Sequence, residues 1–319
     1  MAAQKVNNGG GGPVWVIVNP TAGGGISQKK WARLVGAVSS GLGELRVRFT
    51  DAPGHATEIA REAAAAGESL VVAFGGDGTI SETAAGLLRA REAGAGPTEL
   101  GIIPRGTGGD FRRTLDLPTD VALAAQHIRD RPGQLIDAGR ATYTVRGGGT
   151  ATGTFVNVAS FGFSSDVAAR ANNSSKALGA KAAFLGSLVK TLVGYQNAEV
   201  MLEVDGAPAV RRTLMMAAVG NGRYFGGGMK ICPDAKLDSG ELYFVTVGDL
   251  GKTKVLVSMP KLFAGTHLSI DDVYGSPLRR LRATPANANQ IIPIELDGET
   301  PGYLPATFEV IPAALRVRF

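Results

Sequence analysis

Apolar positions fall into two textures along the chain. From Pro13 to about Gly139, short apolar-rich runs at Val14–Val18, Leu45–Thr50, Leu70–Phe74 and Leu100–Ile103 alternate with longer stretches of helical spacing after Gly25, from about Gly54 and after Thr79. Strands alternating with helices predict a parallel sheet covered on both faces, an α/β domain. Beyond Gly139 the segments shorten and alternate with period two, at Thr142–Arg146, Thr154–Ala159, Glu199–Val204, Thr213–Val219, Leu242–Val247 and Ile291–Leu296. Such runs, separated by Gly, Pro and Asp, predict antiparallel sheet in a second domain over 140–305. One helical stretch, Ser175–Tyr195, interrupts it, with Leu178, Leu185, Leu188 and Leu192 at helical spacing and Lys176, Lys181 and Lys190 among them. That helix packs on the sheet or docks on a membrane. Residues 1–12, ending in four glycines, read as a flexible tail.

The predicted strands of the first domain end in unusual loops: Asn19-Pro20-Thr21-Ala22-Gly23-Gly24-Gly25, Gly75-Gly76-Asp77-Gly78-Thr79 and Pro104-Arg105-Gly106-Thr107-Gly108-Gly109-Asp110. Ligands of open parallel sheets bind at the carboxyl ends of the strands, so three glycine-rich loops there predict one site. Glycines without Cβ atoms turn tightly and let backbone N–H groups approach an anion, with the positive end of the helix dipole behind them. Asp77 lies among those donors. A carboxylate beside a phosphate implies either an intervening Mg²⁺ or a base that takes a proton from an attacking hydroxyl, and both belong to phosphoryl transfer. An ordinary tight turn with an Asx-type hydrogen bond is the structural alternative.

Composition narrows these readings. The 319 residues are 44% hydrophobic and 19% charged, enough chain for two cores. No apolar run reaches the ~18 residues of a membrane-spanning helix, and the start of the chain lacks a signal-peptide core, so a cytosolic protein is expected. Cys232 is the only cysteine, which excludes an internal disulfide and a cysteine-built zinc site. His55, His127 and His267 lack metal-ligand spacing. The net charge of +5 favours anionic partners, but the basic residues are scattered without interleaved aromatics, so nucleotide and anionic membrane fit better than nucleic acid.

Taken together, Asn19-Pro20 with its glycines, Thr50 followed by Gly54-His55-Ala56, the Gly-Gly-Asp-Gly-Thr turn and the Pro-Arg-Gly-Thr-Gly-Gly-Asp-Phe loop resemble the diacylglycerol kinase catalytic family, which also holds sphingosine and ceramide kinases. Phe155-Val156-Asn157, Gly162-Phe163, Val219 to Met229, Pro233-Asp234-Ala235 and Asp297-Gly298-Glu299 continue the resemblance in the family's order. It implies a three-layer α/β nucleotide domain at 13–139, completed by 306–319, and a lipid-binding β-sandwich at 140–305, with ATP in the cleft between them. Residue by residue, it implies nucleotide contacts at Asn19, Pro20, Thr21, Ala22, Gly23, Thr50, Gly75, Gly76, Asp77, Gly78, Thr79, Ile80, Ser81 and Thr107. It also implies Mg²⁺ engaged by Asp77, a catalytic part for Asp110, and a proton acceptor in the late motif, Asp297 ahead of Glu299. The expected activity is ATP-dependent phosphorylation of diacylglycerol or a related lipid, by a protein peripheral to the inner face of the membrane. A homodimer stays open.

Two positions depart from the family pattern. Gly109 stands where an Asn commonly precedes the Asp, and Ser239 stands where many bacterial members carry an Asp of a structural magnesium site. Backbone oxygens near Lys236 and Glu241 would complete that site, which the loss of a carboxylate weakens. The Walker pattern and the protein-kinase signatures are absent. The competing readings are an NAD kinase-like enzyme and a lipid-binding relative without catalysis.

Overall fold

The computed structural model describes residues 12–26, 28–106, 108–172, 186–188, 190–192 and 194–319. The chain divides into two compact units, Met1–Ile136 with Ala313–Phe319, and Asp137–Pro312. The sequence boundary at 139 falls inside a strand, Gln134–Thr144, that runs through the division.

The first unit alternates strands and helices. In chain order these are β1 (Val14–Val18), α1 (Gln28–Leu42), β2 (Leu45–Phe49), α2 (His55–Ala65), β3 (Leu70–Gly75), α3 (Asp77–Glu92), β4 (Glu99–Pro104), α4 (Asp110–Thr114) and α5 (Val121–Asp130). Strands pair in parallel in the order β2-β1-β3-β4, and Arg316–Arg318 add a further parallel stretch beside β4. Burial explains the runs: β1 and β3 are buried at every position, as expected of strands covered on both faces. One face packs Val16, Val18, Val72, Phe74 and Ile103 with Val38 of α1 and Ala124, Ala125 and Ile128 of α5. The α2–α3 pair is close because small residues allow it: a Cβ at Gly86 would lie 2.3 Å from the Thr57 carbonyl oxygen and 2.8 Å from the Ala60 Cβ.

The second unit is antiparallel: β5 (Gln134–Thr144), β6 (Thr150–Phe155), β7 (Val158–Gly162), α6 (Phe163–Asn172), β8 (Ala198–Val204), β9 (Val210–Leu214), β10 (Met216–Gly220), β11 (Leu242–Val247), α7 (Lys252–Ala264), β12 (Val273–Leu278), β13 (Arg280–Pro285), β14 (Pro293–Leu296) and β15 (Glu299–Arg318). One layer runs β12-β11-β10-β7-β14-β15, and β15 also pairs with β13, which continues to β8 and β9. Phe161, Ala217, Val219, Phe244, Leu281, Ile294 and Phe308 share one core, in the manner of a sandwich. The opposite face of β7, β10 and β11 offers Val158, Met216, Ala218 and Val245 to a second cluster with Phe163 and Val167 of α6 and with Leu188 and Leu192.

Two predicted segments are each two strands. Thr154–Ala159 breaks at Val156-Asn157 between β6 and β7, and Thr213–Val219 breaks at Met215, whose N–H donates to Val247 O and Gly248 O. Of the predicted helix Ser175–Tyr195, residues 175–185, 189 and 193 lie outside the described residues; Leu188 and Leu192 are buried against the sheet.

Candidate functional site

In the first unit the three loops interlock through their glycines. Arg105 N–H donates to Gly75 O at 2.6 Å and Asn19 N–H to Phe74 O at 3.2 Å, so the third and first loops start tied to β3 and its loop, while Thr50 N–H, just after β2, donates to Val18 O at 3.0 Å. A Cβ at Gly75 would sit 2.3 Å from Thr79 Oγ1, one at Gly106 2.9 Å from Gly76 Cα, and one at Gly108 2.8 Å from Asp77 Oδ2. Those distances exclude any larger residue without rearrangement. Asn19 Nδ2 donates to Thr79 Oγ1 at 3.2 Å while its Oδ1 accepts from Thr21 N–H and Oγ1, so Asn19 staples the first loop to the first turn of α3.

Asp77 opens α3, and its carboxylate reaches the third loop. Oδ2 accepts from Gly109 N–H at 2.8 Å and Asp110 N–H at 3.2 Å, and Oδ1 from Phe111 N–H at 3.1 Å. These are N–H groups that the short helix α4 cannot satisfy itself, so Asp77 caps it from a distant segment. Of roughly four acceptor directions on a carboxylate, three are committed. Asp110 is buried and pairs with Arg113 Nη1 at 3.0 Å; Arg113 also donates to Gly108 O.

Gly109 explains its own departure from the family pattern. Its φ is +64°, the left-handed region, where Asn is the non-glycine residue that fits most readily. Gly and Asn thus solve one conformational problem, and a Cβ there would meet only the movable Arg112 side chain, at 3.1 Å.

These loops enclose a depression of about 250 Å³ lined by Gly23, Gly75, Gly76, Asp77, Ile80, Pro104, Arg105, Gly106, Gly109, Arg112, Thr119 and Val121. It is smaller than the ~300–1,000 Å³ of pockets that engulf a whole small ligand, and suits part of one. The N–H groups of Asp77, Gly78 and Thr79 begin a helix and have no intrahelical partner. Arg105 Nε is buried without a hydrogen-bond partner in the described structure. Arg105, whose Nε lies beside Gly23, and the helix-start N–H groups line one depression, and guanidinium and helix-start donors are the kinds that seat an anion.

Of the expected nucleotide contacts, Gly23, Gly75, Gly76, Asp77 and Ile80 line this depression. Asn19, Pro20, Thr21, Ala22, Thr50, Gly78, Thr79 and Ser81 do not line it; Asn19 and Thr79 shape it from behind through their mutual hydrogen bond. Thr107 lies outside the described residues. Arg112 and Thr119 escaped the sequence reading, since an arginine inside a helix and a threonine before a helix cap are ordinary features.

In the second unit the late acidic motif is a hairpin turn. Asp297 and Gly298 have φ of +48° and +98° between β14 and β15, with Leu296 opposite Glu299, the Asp-Gly signature of a tight primed turn. Asp297 Oδ2 accepts from Val156 N–H at 2.9 Å, and Oδ1 from Asn157 and Val158 N–H at 3.0 Å each. That grip is what breaks the predicted strand at Val156-Asn157. Buried Glu295 accepts from Gly298 N–H at 2.5 Å and from Ser160 Oγ, which in turn accepts from Ser164 Oγ at 2.8 Å. Glu299 is exposed at the start of β15. Asn221, wholly buried, bridges Asp137 O at 2.8 Å and Val156 O at 2.9 Å, fixing the same loop from below.

The loop at Lys236–Glu241 closes through a hydroxyl. Ser239 Oγ lies 3.3 Å from Lys236 O and 3.1 Å from Glu241 O, and Asp137 Oδ2 accepts from Gly240 N–H at 2.7 Å. The carbonyls expected to face a structural magnesium share the Ser239 hydroxyl proton, so this residue set does not fit that ion. Among the described residues no cluster of three or more His, Cys, Asp or Glu could hold a metal by itself.

Comparison with known proteins agrees along the length of the chain. Residues 13–141 match the family described as diacylglycerol kinase catalytic domain, and residues 157–319 match the YegS C-terminal NAD kinase beta sandwich-like domain. A diacylglycerol kinase of Mycobacterium tuberculosis is 30% identical over 99% of this chain and 98% of its own. A probable lipid kinase YegS-like protein of Pseudomonas fluorescens is 32% identical over 86% of this chain and 85% of its own. The crystal structure of a putative diacylglycerol kinase from Bacillus anthracis superposes with a TM-score of 0.75 at 26% identity, covering 96% of this chain and 97% of that one.

Proposed function

The chain belongs to the diacylglycerol kinase family, a family of lipid phosphotransferases, and from that premise we propose that it moves the γ-phosphate of ATP onto a hydroxyl of diacylglycerol or a related lipid. The observation that carries the reading is the glycine-lined depression with the partnerless Arg105 Nε. ATP phosphates are the anions that such a seat takes in a kinase. Backbone N–H groups at the start of α3 donate to phosphate oxygens, and Arg105 neutralises their charge. Arg112, on the same wall, extends that positive surface.

Magnesium supplies charge neutralisation on the phosphates when bound. Asp77 would be the carboxylate that holds it together with the nucleotide, because magnesium sites commonly use one or two carboxylates plus phosphates. The donor set fits an ion that arrives with ATP. Asp110 orients the third loop through Arg113.

Of the two late carboxylates we assign the proton acceptor to Glu299, in place of the expected Asp297. Asp297 orders the 156–158 loop by accepting three backbone N–H bonds, and Glu299, two residues later, is exposed to an acceptor arriving from solvent or membrane, which is what supports it as the base for the lipid hydroxyl. The test is direct. Purified protein with Mg²⁺ and γ-labelled ATP is offered diacylglycerol, sphinganine, ceramide and phosphatidylglycerol in mixed micelles, beside NAD⁺. Label is expected in diacylglycerol or a close relative; label in NAD⁺ alone, or in none of them, refutes the proposal.

A further inference from the structure

Helix α7, Lys252–Ala264, has no buried residue, although it belongs to a unit whose other helical segments bury apolar side chains. Its sequence is Lys-Thr-Lys-Val-Leu-Val-Ser-Met-Pro-Lys-Leu-Phe-Ala, with three lysines and no acid. At ~100° per residue, Val255, Met259 and Leu262 share one side, and these are the residues that pack partly buried against the core. Leu256, Val257, Pro260 and Phe263 share another side, and there Leu256 is 48%, Val257 75% and Phe263 51% exposed. Lys252 borders that stripe on one edge, and Lys254 and Lys261 border it on the other. A helix carrying apolar side chains outward with lysines at both edges has the pattern of an interfacial helix, whose cationic side chains reach headgroups while the stripe enters the acyl boundary.

We propose that the outward stripe of α7 docks the protein on an anionic phospholipid surface. Charge argues for lipid over a second copy of the chain. An isologous contact of this face with itself brings lysines against lysines, whereas an anionic bilayer attracts each of them. From the sequence, Ser175–Tyr195 either packs on the sheet or docks on a membrane, and exposed parts of Tyr224–Met229 are a second candidate for membrane contact. In the described part of the first segment, Leu188 and Leu192 face the core, and in the second Met229 is buried, while α7 keeps its apolar stripe in solvent. The proposal rests on the lipid-kinase reading for its purpose, to bring the enzyme to an acceptor that lives in a bilayer.

The experiment is co-sedimentation with phosphatidylcholine vesicles, with and without phosphatidylglycerol, run beside a kinase assay. The wild-type protein should pellet with the anionic vesicles and be released by salt. V257D/F263D should lower that partitioning about tenfold or more, with melting temperature unchanged because both residues are exposed. K254E/K261E should erase the preference for anionic vesicles. If the aspartate pair unfolds the protein, V257S/F263S carries the test. Unchanged pelleting of the folded double variant overturns the proposal, as does a dimer in light scattering that V257D/F263D dissociates while vesicle binding persists. On a short-chain diacylglycerol dispersed as monomers, V257D/F263D should turn over like the wild type and lose rate only on vesicle-embedded acceptor. Failure of the wild type on every lipid removes the kinase reading, while the vesicle result stands or falls by itself.

Discussion

Asp77 and Asp297 sit in different units and at turns of different kinds, yet each carboxylate accepts N–H bonds from three consecutive residues of a neighbouring loop. At Asp77 the clamp holds residues 109–111 and the side chain opens a helix; at Asp297 it holds 156–158 and the side chain crowns a hairpin. What differs is who acts beside the clamp. Next to Asp77 the neighbours are glycines and helix-start N–H groups, the proposed seat of an anion. Two residues beyond Asp297 stands an exposed carboxylate, Glu299, the proposed base. An acidic residue in a signature motif is therefore read twice, once for the loop it orders and once for the chemistry it leaves to its neighbours.

Four tests, on six substitutions, break or sharpen this comparison. Glu299→Gln removes the proposed base without touching the clamp, so transfer of label from ATP should fall by about 10²–10⁴-fold at unchanged melting temperature. A variant within a fewfold of wild type would return the role to Asp297. Asp297→Asn and Asp77→Asn should each cost about 2–3 kcal/mol in denaturant unfolding, since each replaces an anion that bonds three N–H groups. Only the Asp77 variant should also weaken ATP binding in titration calorimetry, and equal losses in both would erase the distinction between the two turns. Gly109→Val should cost about 1–2 kcal/mol against its left-handed backbone, whereas Gly109→Asn stays nearly neutral by the same measurement. Smallest is a switch in the second unit. Wild-type melting should ignore EDTA, while Ser239→Asp should gain about 1.4 kcal/mol once magnesium is tenfold above its dissociation constant. An EDTA-sensitive wild type would mean that an ion, and not the hydroxyl, closes that loop.

Much of the architecture is legible in the sequence because burial leaves a periodic trace. Fully covered β1 and β3 are unbroken apolar runs, and the glycines at 75, 106 and 108 stand where neighbouring atoms leave no room for a Cβ. Long-range hydrogen bonds leave no such trace. Nothing near Val156 announces that a carboxylate 141 residues away takes its N–H and ends a strand there. Arg105 was visible as a loop arginine, but its partnerless nitrogen is a property of packing. The α7 stripe carries a readable period; what the sequence withholds is which of its two apolar sides the rest of the unit covers.

Strand β15 begins with Glu299 in one unit and ends in the other, where Arg318 pairs with Glu99 and Arg91 holds the carbonyls of Ala313 and Ala314. The parallel sheet of the first unit is therefore finished by residues that follow the entire second unit in sequence. During synthesis, β4 waits for its neighbour across more than two hundred residues of chain, and contacts of such separation are slow to form because loop closure precedes their reward. The second unit is an insertion that must be made before the first can close. The last strand of the first unit's sheet is thus available only after the second unit has been synthesised, and a chain stopped short of Ala313 would leave the open edge of β4 unpaired.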